Sequence, residues 1–66
     1  MYTNNVNGVI VGRHDTIEDA RRSFENLRTY FAALKKSNVV NLDEKVVELR
    51  DFEEGFVVDK FSLSDL

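Results

Sequence analysis

The stretch Asp15–Lys36, DTIEDARRSFENLRTYFAALKK, decides the fold, because its apolar residues repeat with the period of an α-helix. They recur at alternating spacings of three and four residues, which aligns them in one stripe along a helix of about six turns. The stripe consists of Ile17, Ala20, Phe24, Leu27, Phe31 and Leu34. We therefore predict one amphipathic helix that packs this stripe against the rest of the chain.

Both ends of this stretch carry residues that are typical of helix ends. At the start, either Asp15 caps the helix with Glu18, or Thr16 caps it with Asp19. Either arrangement places acidic groups in the first turn, at the positive end of the helix dipole. At the other end two lysines lie near the free carbonyl groups, followed by Ser37–Asn38, where asparagine tolerates a left-handed exit.

The remaining sequence has strand patterns on both sides of the helix. Gly8–Gly12 is β-branched between glycines and predicts a first strand, whereas the polar, asparagine-rich start predicts a loose arm over residues 1–5 that joins the strand near Val6. After the helix, Val39–Leu42 is a short extended segment that either pairs separately or serves as a connection. Lys45–Phe52 and Phe56–Leu63 predict two further strands, and residues 64–66 a tail.

Glu53–Gly55 predicts a three-residue hairpin loop with its glycine in the left-handed conformation. This loop length sets the register of the two last strands, and it brings opposite charges together across the hairpin. The predicted pairs are Phe52–Phe56, Arg50–Val58, Glu48–Lys60 and Val47–Phe61.

The predicted fold is a single α+β domain over residues 1–66, with the helix packed on a three- to four-stranded, mainly antiparallel sheet. The strand and helix order is β-α-β-β, or β-α-β-β-β if 39–42 pairs separately. A chain of this length buries only about 60% of its unfolded surface. It has no cysteine for a disulfide and a single histidine, so oligomerisation or a partner is the remaining route to extra burial.

One helix covers only one face of such a sheet, so the other face should be left open. The residues that we expect under the helix are Val9, Val11, Val47, Leu49, Val57, Phe61 and Leu63. The residues that we expect on the open face are Ile10, Val46, Phe52, Phe56 and Val58, interleaved with Glu48, Arg50 and Lys60. A contiguous apolar patch of this kind usually marks an interface, whereas scattered apolar residues on a twisted sheet would need no explanation.

The charge of the chain is divided unequally. Residues 1–42 hold six Lys and Arg against four Asp and Glu, giving +2, whereas residues 43–66 hold three against eight, giving −5. An acidic second half argues against a general binder of the phosphate backbone. No apolar run approaches the roughly 18 residues of a membrane span, and the start lacks the pattern of a secretory signal, so we expect a cytoplasmic protein.

Three other functions are open to the residues. His14–Asp15 is the one adjacent histidine–carboxylate pair and a candidate general base, although neighbours along the chain seldom meet that geometry. Gly12–His14, at the start of the helix, is a candidate anion site, although the nearby acidic residues oppose it. Arg21, Arg28 and Lys35 lie seven residues apart and form a candidate nucleic-acid stripe, which helical Glu–Arg pairs would partly neutralise.

The favoured function is a non-catalytic protein-binding module without cofactor or metal, which we expect to form a homodimer. An open sheet face, an edge strand and an acidic hairpin loop all suit recognition of a protein, and the acidic loop suits a partner's basic groove. The residues expected to bind a partner or a second copy are Ile10, Val46, Phe52, Glu53, Glu54, Phe56 and Val58. The runner-up is a small nucleic-acid-associated regulator that uses the basic helix stripe.

In size, lack of cysteine, asparagine-rich start and single helix, the chain resembles the short phage-encoded proteins that inhibit host enzymes or defence complexes. The resemblance implies a regulator that acts by occupying the surface of another protein. It rests on overall build and assigns a role to no individual residue.

Overall fold

The computed structural model of the protein describes residues 1–37 and 44–66, so the segment 39–42 lies outside the described residues. The described elements are β1 (Tyr2–Val6), β2 (Val9–His14), α1 (Ile17–Lys36), β3 (Val46–Asp51), β4 (Phe56–Ser62) and a 3-10 turn, Leu63–Asp65. The four strands form one antiparallel sheet in the order β2-β1-β3-β4, and α1 packs on one of its faces. The predicted two-layer α+β fold is confirmed, with one more strand before the helix than the sequence analysis predicted.

The helix follows the predicted stripe. Thr16 is the N-cap, and its hydroxyl oxygen accepts a hydrogen bond from the Asp19 N–H at 3.2 Å, which decides between the two predicted caps. Ser37 is the C-cap, and Asn38 lies outside the described residues. The stripe supplies the helix side of the core: its members are either fully buried or packed against the buried cluster of Ala20, Phe24, Phe31, Val47, Leu49, Phe61 and Leu63.

The prediction of a loose N-terminal arm is wrong, because Tyr2–Val6 forms β1, a central strand of the sheet. The turn Asn7–Gly8 joins β1 to β2, and both of its residues have positive φ, at 50° and 83°. This is the backbone of a two-residue hairpin turn, for which Asn-Gly is the preferred sequence. Asn7 also binds the first residue of β3: its N–H donates to the Val46 carbonyl, and its Oδ1 accepts the Val46 N–H.

A bulge in each edge strand alters the predicted faces of the sheet. The pairs Glu48–Lys60 and Val47–Phe61 are confirmed, but Arg50 pairs with Val57 instead of Val58, because β4 carries an extra residue after the Leu49–Asp59 pair. Val58 is therefore not on the open face but packs partly buried against the core.

Two valines of β2 are not buried under the helix as predicted. Gly12 pairs with Asn4 and Ile10 with Asn5, so Val11 is the extra residue of the bulge and is 55% exposed. Val9 pairs with Val6 before the bulge, and it is 64% exposed because β2 is an edge strand. Both edges of the sheet are thus bulged, a feature that opposes unwanted pairing with further strands.

The predicted C-terminal tail is also part of the fold. Leu63 is fully buried and Leu66 packs against the core. Lys35 donates from Nζ to the carbonyl oxygens of both residues, at 2.8 and 3.1 Å. The chain after β4 is therefore held against the last turns of the helix.

A buried asparagine joins the two layers. Asn4 is fully buried in β1, and its Nδ2 donates to the carbonyl oxygen of Ala20 in the helix at 3.1 Å. Its Oδ1 lies 2.7 Å from Nε2 of His14, which donates because Nδ2 already fixes the orientation of the amide. Gly12 permits this arrangement, since a Cβ there would lie 3.1 Å from Asn4 Oδ1 and 3.2 Å from His14 Nε2.

We predict that Asn4→Ala lowers the free energy of unfolding by about 2–3 kcal/mol, because the Ala20 carbonyl loses its second donor and the His14 ring nitrogen loses its acceptor. Urea denaturation followed by circular dichroism measures this change. The control is Asn26→Ala on the exposed face of the helix, which should change stability by less than about 0.5 kcal/mol. Equal stabilities for the two variants would contradict the proposed role of Asn4.

Candidate functional site

The turn between β3 and β4, which we call the hairpin tip, consists of Phe52, Glu53, Glu54, Gly55 and the first residue of β4, Phe56. Its connection has four residues rather than the predicted three, and Phe56 pairs with Asp51 rather than with Phe52. The bulge in β4 accounts for this difference, because it shifts the pairing by one residue towards the turn. Gly55 has a φ of 76°, so the predicted left-handed glycine is confirmed.

Hydrogen bonds on both sides hold the hairpin tip in shape. The Asp51 carbonyl accepts the Gly55 N–H at 2.8 Å, and Asp51 Oδ1 accepts the Glu54 N–H at 3.1 Å. The Phe52 N–H donates to the Met1 carbonyl at 3.0 Å, which extends the β1–β3 pairing into the turn. The tip is therefore a structured projection and not a loose loop.

The tip presents two aromatic rings to solvent. Phe52 is 55% exposed and Phe56 is 53% exposed, on either side of two exposed glutamates. The register places Phe56 in the row of Tyr2 and Asp51, on the helix side of the sheet. Phe52 instead borders the open face, so the rings do not share one face as predicted.

The N-terminal amino group is bound at the tip. The Met1 ammonium lies 2.7 Å from Oε1 of Glu53. The hydrogen bond to Glu53 is the main cause that raises the pKa of this amino group above its ordinary value of 8.0, and the nearby carboxylates of Asp51 and Asp15 act in the same direction. Because the folded-state pKa is the higher one, any stabilisation by this ion pair is present below pH 8 and is lost as the pH rises through the folded pKa.

For the protein starting at Met1, we predict that the α-amino group titrates above pH 8.0 and that Glu53→Gln moves its pKa back towards that value. NMR titration of the amino group in the two proteins measures the shift. Glu54→Gln is the matched control, because it removes the same charge from the neighbouring tip residue. An unchanged pKa in Glu53→Gln would show that the ion pair does not form in solution.

The open face of the sheet is more polar than predicted. Thr3 pairs with Arg13 on one side and Arg50 on the other, and Asn5 pairs in the same way with Ile10 and Glu48. Thr3 and Asn5 are 1% and 4% exposed although α1 packs on the opposite face, and longer side chains of β2 and β3 lie on either side of both residues. Ile10 is half-buried on this face and Val46 is 37% exposed. Val46 lies at the opposite end of β3 from the tip, five residues and roughly 16 Å from Asp51, so the predicted site residues do not form one patch.

The basic helix stripe predicted to contact nucleic acid is engaged within the protein. Arg21 forms an ion pair with Asp59 of β4 at 3.2 Å, and Lys35 binds the carbonyls after β4. The guanidinium of Arg28 lies 4.8 Å above the ring of Phe61 and 5.7 Å from that of Phe24, whose rings meet edge to face. These three side chains therefore attach α1 to β4 and to the residues that follow it.

We predict that Arg28→Gln lowers the free energy of unfolding by about 1 kcal/mol, because the guanidinium no longer covers the two buried phenylalanine rings. Thermal or urea denaturation measures the change. Arg22→Gln removes the same charge from the exposed helix face, where Arg22 pairs only with Asp19, and should have a smaller effect. A larger loss in Arg22→Gln would contradict the packing role.

The remaining sequence candidates at the start of the helix do not combine into a catalytic arrangement. His14 donates to the buried Asn4, so this nitrogen is engaged in holding the two layers together. Asp15 is exposed, and Gly12 is the point of close approach described above. Among residues 1–37 and 44–66, no group of three or more His, Cys, Asp or Glu side chains is placed to hold a metal ion.

No helix in the described ranges is long and apolar enough to cross a membrane. Comparison with protein-family models, curated proteins and solved structures finds no significant match to the chain.

Proposed function

We propose that the protein is a non-catalytic binding module that acts in the cytoplasm and blocks or regulates another protein by placing its hairpin tip on that protein's surface. The resemblance to short phage-encoded inhibitors suggests a host enzyme or defence complex as the target. The observation that carries the proposal is the pair of phenylalanines, each more than half exposed, on a turn fixed by hydrogen bonds.

Aromatic residues at this degree of exposure cost the free protein solubility and contribute little to its own core. Phe52 and Phe56 lie outside the buried cluster, so core packing does not explain them. Large aromatic side chains are the residues that most often supply binding energy at the centre of protein interfaces. Because the tip is already ordered, less conformational entropy is lost when a partner binds it.

The charges of the tip indicate the chemistry of the partner. Glu53 and Glu54 are exposed between the rings, and within the described part of the chain Glu53 forms an ion pair with the terminal ammonium whereas Glu54 forms none. A complementary surface would provide apolar pockets for the rings and Lys or Arg side chains around them. A basic, substrate-binding groove of an enzyme has this character, and a tip seated there would block access to it.

We predict that Phe52→Thr with Phe56→Thr abolishes capture of the partner while the protein stays folded, because both rings are mostly exposed. The immobilised wild-type protein captures the partner from host lysate at high salt, and the variant should lose that band. Val9→Thr with Val11→Thr is the matched control, since these valines are exposed on β2, away from the tip. Helical circular dichroism verifies folding of each variant.

Loss of the same captured protein in both variants would indicate nonspecific hydrophobic capture and would overturn the assignment to the tip. Self-association is the competing use of the exposed rings. Light scattering over a concentration series separates the two: a mass of twice 7.6 kDa that returns to the monomer in the Phe52/Phe56 variant assigns the tip to a homodimer.

A further inference from the structure

A groove runs along the central strand on the open face of the sheet. It has a volume of about 330 Å³, with Thr3 and Asn5 as its floor, Ile10 on one side and Arg50 on the other. It extends from Gly8, at the β1–β2 turn, to the hairpin tip. β1 is five residues long, so the groove can hold an extended segment of about the same length, roughly 17 Å.

The floor of the groove contains an unused hydrogen-bond donor. Asn5 is 4% exposed, and its Oδ1 accepts the hydroxyl of Thr3 at 2.8 Å. Its Nδ2 has no hydrogen-bond partner among the described residues. This nitrogen is open to water, because Arg28 Nε is the one buried side-chain nitrogen or oxygen without a partner among the described residues. A ligand that accepts from Nδ2 would take the place of that water.

The side of the groove contains a cation without a counterion. Arg50 is half-buried and forms no ion pair within the described part of the chain, where the ion pairs involve other cations. Arg13 is exposed in the same row, two strands away, which places its Cα about 10 Å from that of Arg50. Asp51, the acidic residue of the groove wall, uses Oδ1 to hold the Glu54 N–H.

These features together fit a carboxylate. An arginine binds a carboxylate through paired, charge-assisted hydrogen bonds, and the free amide of Asn5 supplies a further donor. A nucleic-acid strand fits less well, because it brings a phosphate with every nucleotide. Glu48, beside Arg50 on the same face, and Glu53 and Glu54, at the end of the groove, would repel those phosphates. A single carboxylate on an extended chain meets the cation without that repulsion.

We propose that the groove over Thr3 and Asn5 binds an extended acidic peptide segment of a partner protein, with one carboxylate held by Arg50 and the Asn5 amide. Ile10 and Phe52 then contact the apolar side chains next to that carboxylate. Arg13 adds attraction at longer range. The site is distinct from the hairpin tip and shares only Phe52 and Gly55 with it.

The test is an NMR titration of the full chain with a capped seven-residue peptide that carries one central glutamate between valine and threonine residues. We expect the side-chain amide signals of Asn5 to shift, and binding to weaken about tenfold or more in Arg50→Gln. The exposed Arg13→Gln should weaken binding less, and it serves as a second variant should Arg50→Gln lose its fold. Arg22→Gln, which removes the same charge from the helix surface, should leave the affinity within about twofold.

Two further probes distinguish other occupants. The same peptide with glutamine in place of glutamate should bind at least about tenfold more weakly, since it lacks the charge. Tighter binding of a ten-residue oligothymidylate than of the acidic peptide would overturn the proposal in favour of nucleic acid. An Asn5 signal that does not respond to the peptide, or one that shifts on protein dilution instead, would overturn it in favour of an empty face or a second copy.

Discussion

The two layers of this protein depend on the side chain of Asn4, which binds the helix and the edge strand at once. Its amide reaches the Ala20 carbonyl in α1 and His14 at the end of β2. Hydrogen bonds of this kind are strongly directional, and a buried polar group that loses its partner costs free energy. It therefore fixes where the helix starts over the sheet. Apolar packing of the stripe alone would permit small shifts along the same surface.

That anchoring explains why a polar segment forms the centre of the sheet. β1 alternates between the two faces: Asn4 points towards the helix, while Thr3 and Asn5 form the floor of the open face. Both polar atoms of the Asn4 amide bind other residues, whereas the amide nitrogen of Asn5 binds none of the described residues. The same strand thus stabilises the fold through one face and leaves a hydrogen-bond donor at the floor of the groove on the other.

The sequence was sufficient for the helix, for the hairpin between the last two strands and for the two-layer architecture, because these follow hydrophobic periodicity. The predictions were wrong where polar residues are buried. The asparagine-rich start was interpreted as a loose arm, although Asn7-Gly8 between valines is a strong hairpin signal that would have revealed β1. The bulge that moves Val58 to the core has no comparable signal, since no glycine marks it within β4. Likewise, the regular spacing of the basic helix residues did not show that β4 already provides their partners.

The hairpin tip and the groove meet at Phe52, so one partner protein would contact both surfaces side by side. The tip is acidic and aromatic, whereas the groove presents a cation and a side-chain amide, so the two proposed surfaces would favour ligands of opposite charge. A partner that binds both must place basic residues around an apolar pocket and an acidic extended segment beside it. A segment shifted by one residue along the groove would turn its carboxylate away from Arg50. The position of this carboxylate would therefore determine the register of the partner, while the rings of the tip would supply most of the affinity.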